Sequence, residues 1–194
     1  MRNPRNIILL GLIVIAALPV HAQTEAGDSR YELFRIEEND MYWSHTFKFE
    51  GSADSLRREI VQMLKSKFFT FNVVRNETGY NGEIKHYKVD CRRYGRSYYN
   101  TPRMYWYGEW TGKFIVDVFD NGYRVTVYAL YAEKFQTAAN NNRGQRITTG
   151  RYIEAVTKKD RLTFKKSEYA NLHLMSLSLM DSFDIRNTVV PTGN

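Results

Sequence analysis

From Tyr42 to Phe49 the chain alternates. Trp43, His45, Phe47 and Phe49 share one face, and Tyr42, Ser44, Thr46 and Lys48 the other. Period two with aromatic enrichment predicts a strand covered on one side. Gly51 and Ser52 interrupt it. Ser52 or Asp54 can then accept a hydrogen bond from a free backbone N–H and start a helix. Leu56, Ile60, Met63, Leu64 and Phe68 follow at helical spacing, with Arg57, Arg58, Lys65 and Lys67 on the other side, an amphipathic pattern. Thr70 to Arg75 is β-branched and aromatic and predicts a second strand. Turn residues from Glu77 to Gly82 lead into a third at Ile84 to Cys91. Tyr94 to Arg103, with Gly95, Asn100 and Pro102, reads as a loop.

Tyr105 to Phe119 is the longest strand candidate, with bends at Gly108 and Gly112. Asp120-Asn121-Gly122 follows, and Asn-Gly readily takes the left-handed angles of a tight hairpin. Tyr123 to Tyr131 returns, with Tyr123, Val125, Val127 and Ala129 on one face. Lys134 to Lys166 reads as a long basic loop with a short strand at Arg151 to Thr157. Ser167 to Phe183 predicts a closing helix, lined by Tyr169, Leu172, Met175, Leu179 and Phe183 and widened by Leu174, Leu177 and Met180. The order strand, helix, four strands, helix predicts an α+β two-layer sandwich. Its antiparallel sheet would have about five strands, with helices packed on one face and the other face partly open. No internal repeat or second-domain boundary is visible.

The N-terminus changes the expected destination. Ile7 to Val20 is an uncharged run of 14 residues behind Arg2 and Arg5, and Val20-His21-Ala22 fits a signal-peptidase site before Gln23. A spanning helix needs about 20 apolar residues, so the run reads as a cleaved signal and no transmembrane segment is expected afterwards. The expected organisation is a signal peptide at 1–22, a flexible acidic lead-in at 23–41, one domain at 42–184 with a basic insertion at 134–166, and a tail at 185–194. Loss of residues 1–22 would leave 172 of 194 residues and, with Arg2 and Arg5 gone, lower the net charge from +7 to +5. The expected location is periplasmic or extracellular. Export argues against nucleic acid as a partner and against cytoplasmic nucleotide chemistry.

Several segments resemble an uncharacterised family of secreted bacterial proteins, a domain of unknown function with a TATA-binding-protein-like fold. They are the helix SLRREIVQMLKSKF, the strand after it, the W-x-G-K-F-I-V-D-V run from Trp110 to Val118, and DNGYRVTVYAL from Asp120 to Leu130. The resemblance covers roughly residues 42 to 131 and the final helix. It implies the fold and no activity, cofactor or catalytic residue, and fold alone does not transfer DNA binding.

Candidate chemistry is sparse. One Cys in 194 residues excludes an internal disulfide, and Cys91 is expected to be buried, with an intermolecular bridge as the alternative. His45, His86 and His173 lie on separate elements without ligand spacing, so neither a metal nor a cofactor is expected. No nucleophile elbow or phosphate-cradling loop occurs. Glu109, Asp117, Asp120 and Glu133 lie on or near the central strands. They support an alternative reading, a small hydrolase acting on envelope material, only if two of them meet across strands in a cleft.

The distinctive stretch is Lys85 to Arg103, where six basic residues face one acid, Asp90, and tyrosines interleave; the chain holds 14 Tyr, 11 Phe and 3 Trp in all. Guanidinium groups donate in a planar fork to carboxylate or phosphate, and flat rings stack on sugars. The candidate partner-binding residues are Arg92, Arg93, Tyr94, Arg96, Tyr98, Tyr99, Arg103, Tyr105 and Trp106. The expected function is an exported, non-catalytic binding or assembly domain. It would contact an anionic glycan, a lipid headgroup or an acidic protein. A further reading has an exposed sheet edge adding strands to a neighbour.

Overall fold

The computed structural model describes residues 29–137 and 146–187. The expected signal peptide, the start of the expected lead-in and most of the expected tail lie outside the described residues. The elements are β1 (Arg30–Tyr31), β2 (Phe34–Glu37), β3 (Asp40–Lys48), α1 (Ala53–Ser66), β4 (Thr70–Arg75), β5 (Gly79–Tyr87), α2 (Arg103–Tyr107), β6 (Glu109–Phe119), β7 (Gly122–Thr137), β8 (Arg146–Arg151), α3 (Tyr152–Val156) and α4 (Tyr169–Phe183). All pairs are antiparallel, in the order β1-β2-β3-β7-β6-β5-β4. The strand β8 takes over the edge of β7 where β3 leaves it, from Tyr131 onward.

Helices cover one face, as the pattern predicts. Trp43, Phe114, Val116, Val125 and Val127 on the sheet pack with Leu56, Ile60 and Met63 of α1 and Leu172, Met175 and Leu179 of α4, all fully buried. Each such side chain contributes about 1.5–3 kcal/mol. Ser52 caps α1 by accepting from Ser55 N–H at 3.2 Å. The opposite sheet face is polar and half-exposed. Tyr42 stacks on Tyr128, Ser44 meets Thr126, and Arg124 pairs with Asp117. Among the described residues no helix is long and apolar enough to cross a membrane.

The sheet has eight strands rather than about five, and two segments account for the difference. Residues 30–37 are not a lead-in. Phe34 and Ile36 enter the core from β2, and a two-residue turn with positive φ at Glu38 and Asn39 joins β2 to β3. That turn geometry normally signals itself by Gly. The insertion at 134–166 is not simply a loop. The strand β7 runs on to Thr137, β8 pairs with it, and Tyr152, Ile153 and Val156 of α3 are buried together with Phe164. Residues 138–145 lie outside the described residues. At the other end, Ile185 is buried, so the domain runs past 184.

Local corrections follow from bulges and helix ends. The strand register of β6 against β7 shifts between Thr111 and Lys113, where Ala129 has φ 51°. Past this bulge Ala129 faces out, and Leu130 and Ala132 face the core. The helix α1 stops at Ser66, so Phe69 turns into the core and Phe68 is 73% exposed. In the Asp120-Asn121 turn no residue has positive φ. Gly122 is required for another reason: a Cβ there would collide with the carbonyl oxygen of Phe47 on β3.

Cys91 is buried, and its thiol donates to the Tyr105 carbonyl at 3.4 Å. Burial, then the nearby Asp90 charge, push the thiol up to about 11. Iodoacetamide at pH 8 is therefore expected to modify folded protein about a hundredfold more slowly than unfolded protein, since only thiolate reacts. Mass spectrometry with and without urea checks this. Equal rates would place the thiol at the surface.

Candidate functional site

The segment between β5 and α2 begins as a tight turn. Arg96 N–H donates to Cys91 O and Gly95 N–H to Arg92 O, both at 3.0 Å, with Gly95 at φ 67°. This is the hydrogen-bond pattern that closes a helix on a left-handed glycine. Asp90 accepts from Arg93 N–H at its start. Their contacts split the nine candidate residues into two groups.

One group holds the fold. Arg93 pairs with Asp181 of α4 at 2.9 Å, and the Tyr94 hydroxyl donates to the same carboxylate at 2.7 Å. Burial, then the Asp181 hydrogen bond and charge, raise the Tyr94 phenol well above its ordinary value. The Arg96 guanidinium donates to the Ala170 carbonyl. Tyr87, just before the segment, meets Ser178 and Ser182 of α4. The segment thus lies across the outer side of α4, which explains why that helix is buried nearly all round. Tyr105 is also structural. It is fully buried in α2, its hydroxyl donates to Tyr152 at 2.9 Å, and no ligand reaches it. The strand pattern misassigned it because residues 103–107 form a helical turn, whose Gly108 N–H donates to Met104 O.

The other group faces solvent. Tyr98 makes edge contacts with Tyr99, Trp106 and Tyr107 at ring distances of 5.7, 6.1 and 6.0 Å. Tyr99 is 93% exposed, and Tyr98 and Tyr107 are also exposed. Arg92 lies over the Trp106 ring at 6.0 Å. Arg103 is half-buried and close enough to act electrostatically on Tyr107, whose phenol is raised first by its hydrogen bond with Tyr98. Tyr107 was missing from the sequence-based set, and its helical position one turn after Arg103 brings it in.

The strand carboxylates are engaged elsewhere. Glu109 stands opposite Glu133 in the register but accepts from His86 at 3.0 Å and faces Lys88 at 3.5 Å. The His86 hydrogen bond leads in holding Glu109 below the usual carboxylate range, the reverse of what a general acid needs. Asp117 is taken by Thr78 and Arg124. None of these acids lines the described cavities. His45 lies in β3 against Phe47, and His173 pairs with Glu32 at 2.8 Å, so the three histidines remain apart.

No family model matches this sequence, and no curated protein matches it. Among solved structures, a TBP-like protein from Parabacteroides distasonis is similar to 81% of this chain and 99% of its own length, with 15% identity and a TM-score of 0.41. The α+β architecture described above rests on the register and packing of this chain.

Proposed function

We propose that this chain is an exported, non-catalytic binding domain that holds an anionic glycan of the cell envelope on the patch Tyr98, Tyr99, Tyr107, Trp106, Arg92 and Arg103. The observation that carries the reading is the exposure of Tyr99 within a four-ring cluster flanked by guanidinium groups. Exposed rings in contact with one another add little to folding, and such patches mark contact surfaces. Sugar faces pack on tyrosine rings, and Arg forks bind uronate carboxylates in two-point contacts. Arg93, Tyr94 and Arg96 act in support, by tying the segment to α4.

Affinity electrophoresis against polygalacturonate at low and high salt tests this. Retardation at low salt is expected, falling as salt screens the guanidinium contacts. Tyr99→Ala with Tyr107→Ala is expected to weaken binding about tenfold or more, because exposed aromatic anchors dominate such contacts. Thermal unfolding should be unchanged. Retardation equal to wild type in the double variant, or none in wild type at any salt, would overturn the reading.

A further inference from the structure

A second surface lies between α1 and the β4 end of the sheet. The outward face of α1 carries Arg57, Arg58 and Lys65, and β4 sends Arg75 toward it. Between them runs a cleft of about 800 Å³ floored by Val61 and Tyr80, with Asp54 as its one acid. None of these four cations forms an ion pair among the described residues. Four unpaired cations around one cleft concentrate positive potential where low-dielectric walls focus it.

The wall beside this cleft is a sheet edge. The strand β4 ends the strand order, pairing with β5 and with no other described strand. Edge strands are usually blunted by charge or cover. This one instead exposes Phe71, Val73 and Val74, the last at 58%. Its register separates two faces. Arg75 pairs with Tyr80 on the helix side, whereas Phe71 and Val74 pair with Glu83 and Asn81 on the open side. Asn72, at φ 50°, bulges the strand between Phe71 and Val74 and so limits straight pairing to a short length.

We propose that this cleft and edge bind an acidic peptide segment of a partner protein, added to β4 as a short extra strand. Side chains of an added strand alternate between faces. Acidic residues at every second position would meet Arg57, Arg58, Lys65 and Arg75, and the intervening apolar residues would cover Phe71 and Val74. Charge complementarity selects an acidic occupant, and the free edge beside it selects an extended backbone over a compact anion.

Fluorescence anisotropy with a labelled hexapeptide of alternating Glu and Val tests the proposal on the folded chain. Binding that weakens with salt is expected. The charge reversals Arg57→Glu with Lys65→Glu, both on exposed helix positions, should reduce affinity about tenfold or more at unchanged thermal unfolding. A peptide N-methylated at alternate residues loses the edge hydrogen bonds and should not bind. The Tyr99→Ala, Tyr107→Ala variant should bind the hexapeptide as wild type does, which separates this site from the glycan patch. Equal affinity for the N-methylated peptide, or binding of inorganic polyphosphate with no binding of the hexapeptide, would make the cleft a plain anion site and overturn the proposal. Dimerisation that Val74→Lys abolishes, with no peptide bound, would give the edge to a second copy and overturn it equally.

Discussion

Trp43→Ala is expected to lower the unfolding free energy by about 3–5 kcal/mol, the usual range for removing a large buried aromatic side chain. Trp43 is fully buried on β3, beside Val127 of β7. Its indole N–H reaches across the layers and donates to Ser176 Oγ of α4 at 3.0 Å. Truncation therefore opens a cavity at the sheet–helix junction and leaves a buried hydroxyl without its donor. Both terms act in the same direction, and close-packed surroundings collapse only partly. Trp43→Phe keeps most of the volume and should cost distinctly less. Trp106→Ala, at a half-exposed ring, should also cost less, although it removes the same side chain. Urea unfolding followed by circular dichroism orders the three. A loss below about 1 kcal/mol for Trp43→Ala would mean that α4 does not seat on this residue.

Tyr123→Phe, the deletion of a single oxygen, is expected to cost about 2–4 kcal/mol. The Tyr123 hydroxyl donates to Phe183 O at 2.7 Å and accepts from Ile185 N–H at 3.0 Å, all in buried surroundings. It therefore satisfies the backbone where α4 ends and the chain turns back. Phenylalanine fits the same space and keeps the stack on Phe47 at 4.8 Å. What is lost is hydrogen bonding alone, and each orphaned buried group carries about 1–3 kcal/mol of desolvation. Burial drives the phenol well above its ordinary value, which favours the neutral hydroxyl that makes both bonds. Unfolding of wild type and variant in urea, with equal m-values, measures the difference. A change within about 0.5 kcal/mol would show that this end of α4 frays and that the hydroxyl is already hydrated.

The alternation of Tyr42 to Phe49 and the cap and stripe of α1 were legible because local periodicity and local hydrogen bonding specify them. The strands β1 and β2 were not, because strands of two and four residues with only Phe34 and Ile36 as buried residues are too short to show a period. The helix α3 was hidden by its basic surroundings, although Tyr152, Ile153 and Val156 carry a helical spacing. Within the candidate site, the excess of Arg and Tyr from 85 to 103 was plain, but its division of labour was not. Arg93 and Arg92 are adjacent in the chain, and one grips Asp181 of α4, 88 positions away, while the other lies on Trp106.

Composition and short-range pattern thus established an α+β chain with one helix-covered sheet face, a basic-aromatic segment and a lone buried thiol. Side-chain periods, caps and residue types are properties of neighbours along the chain. Which arginines hold the molecule together, which rings remain free, and that α1 and β4 enclose an unpaired cationic cleft were settled by packing. Those outcomes depend on α4 and the sheet edges arriving from distant positions, and contacts between residues far apart leave no spacing in a single sequence.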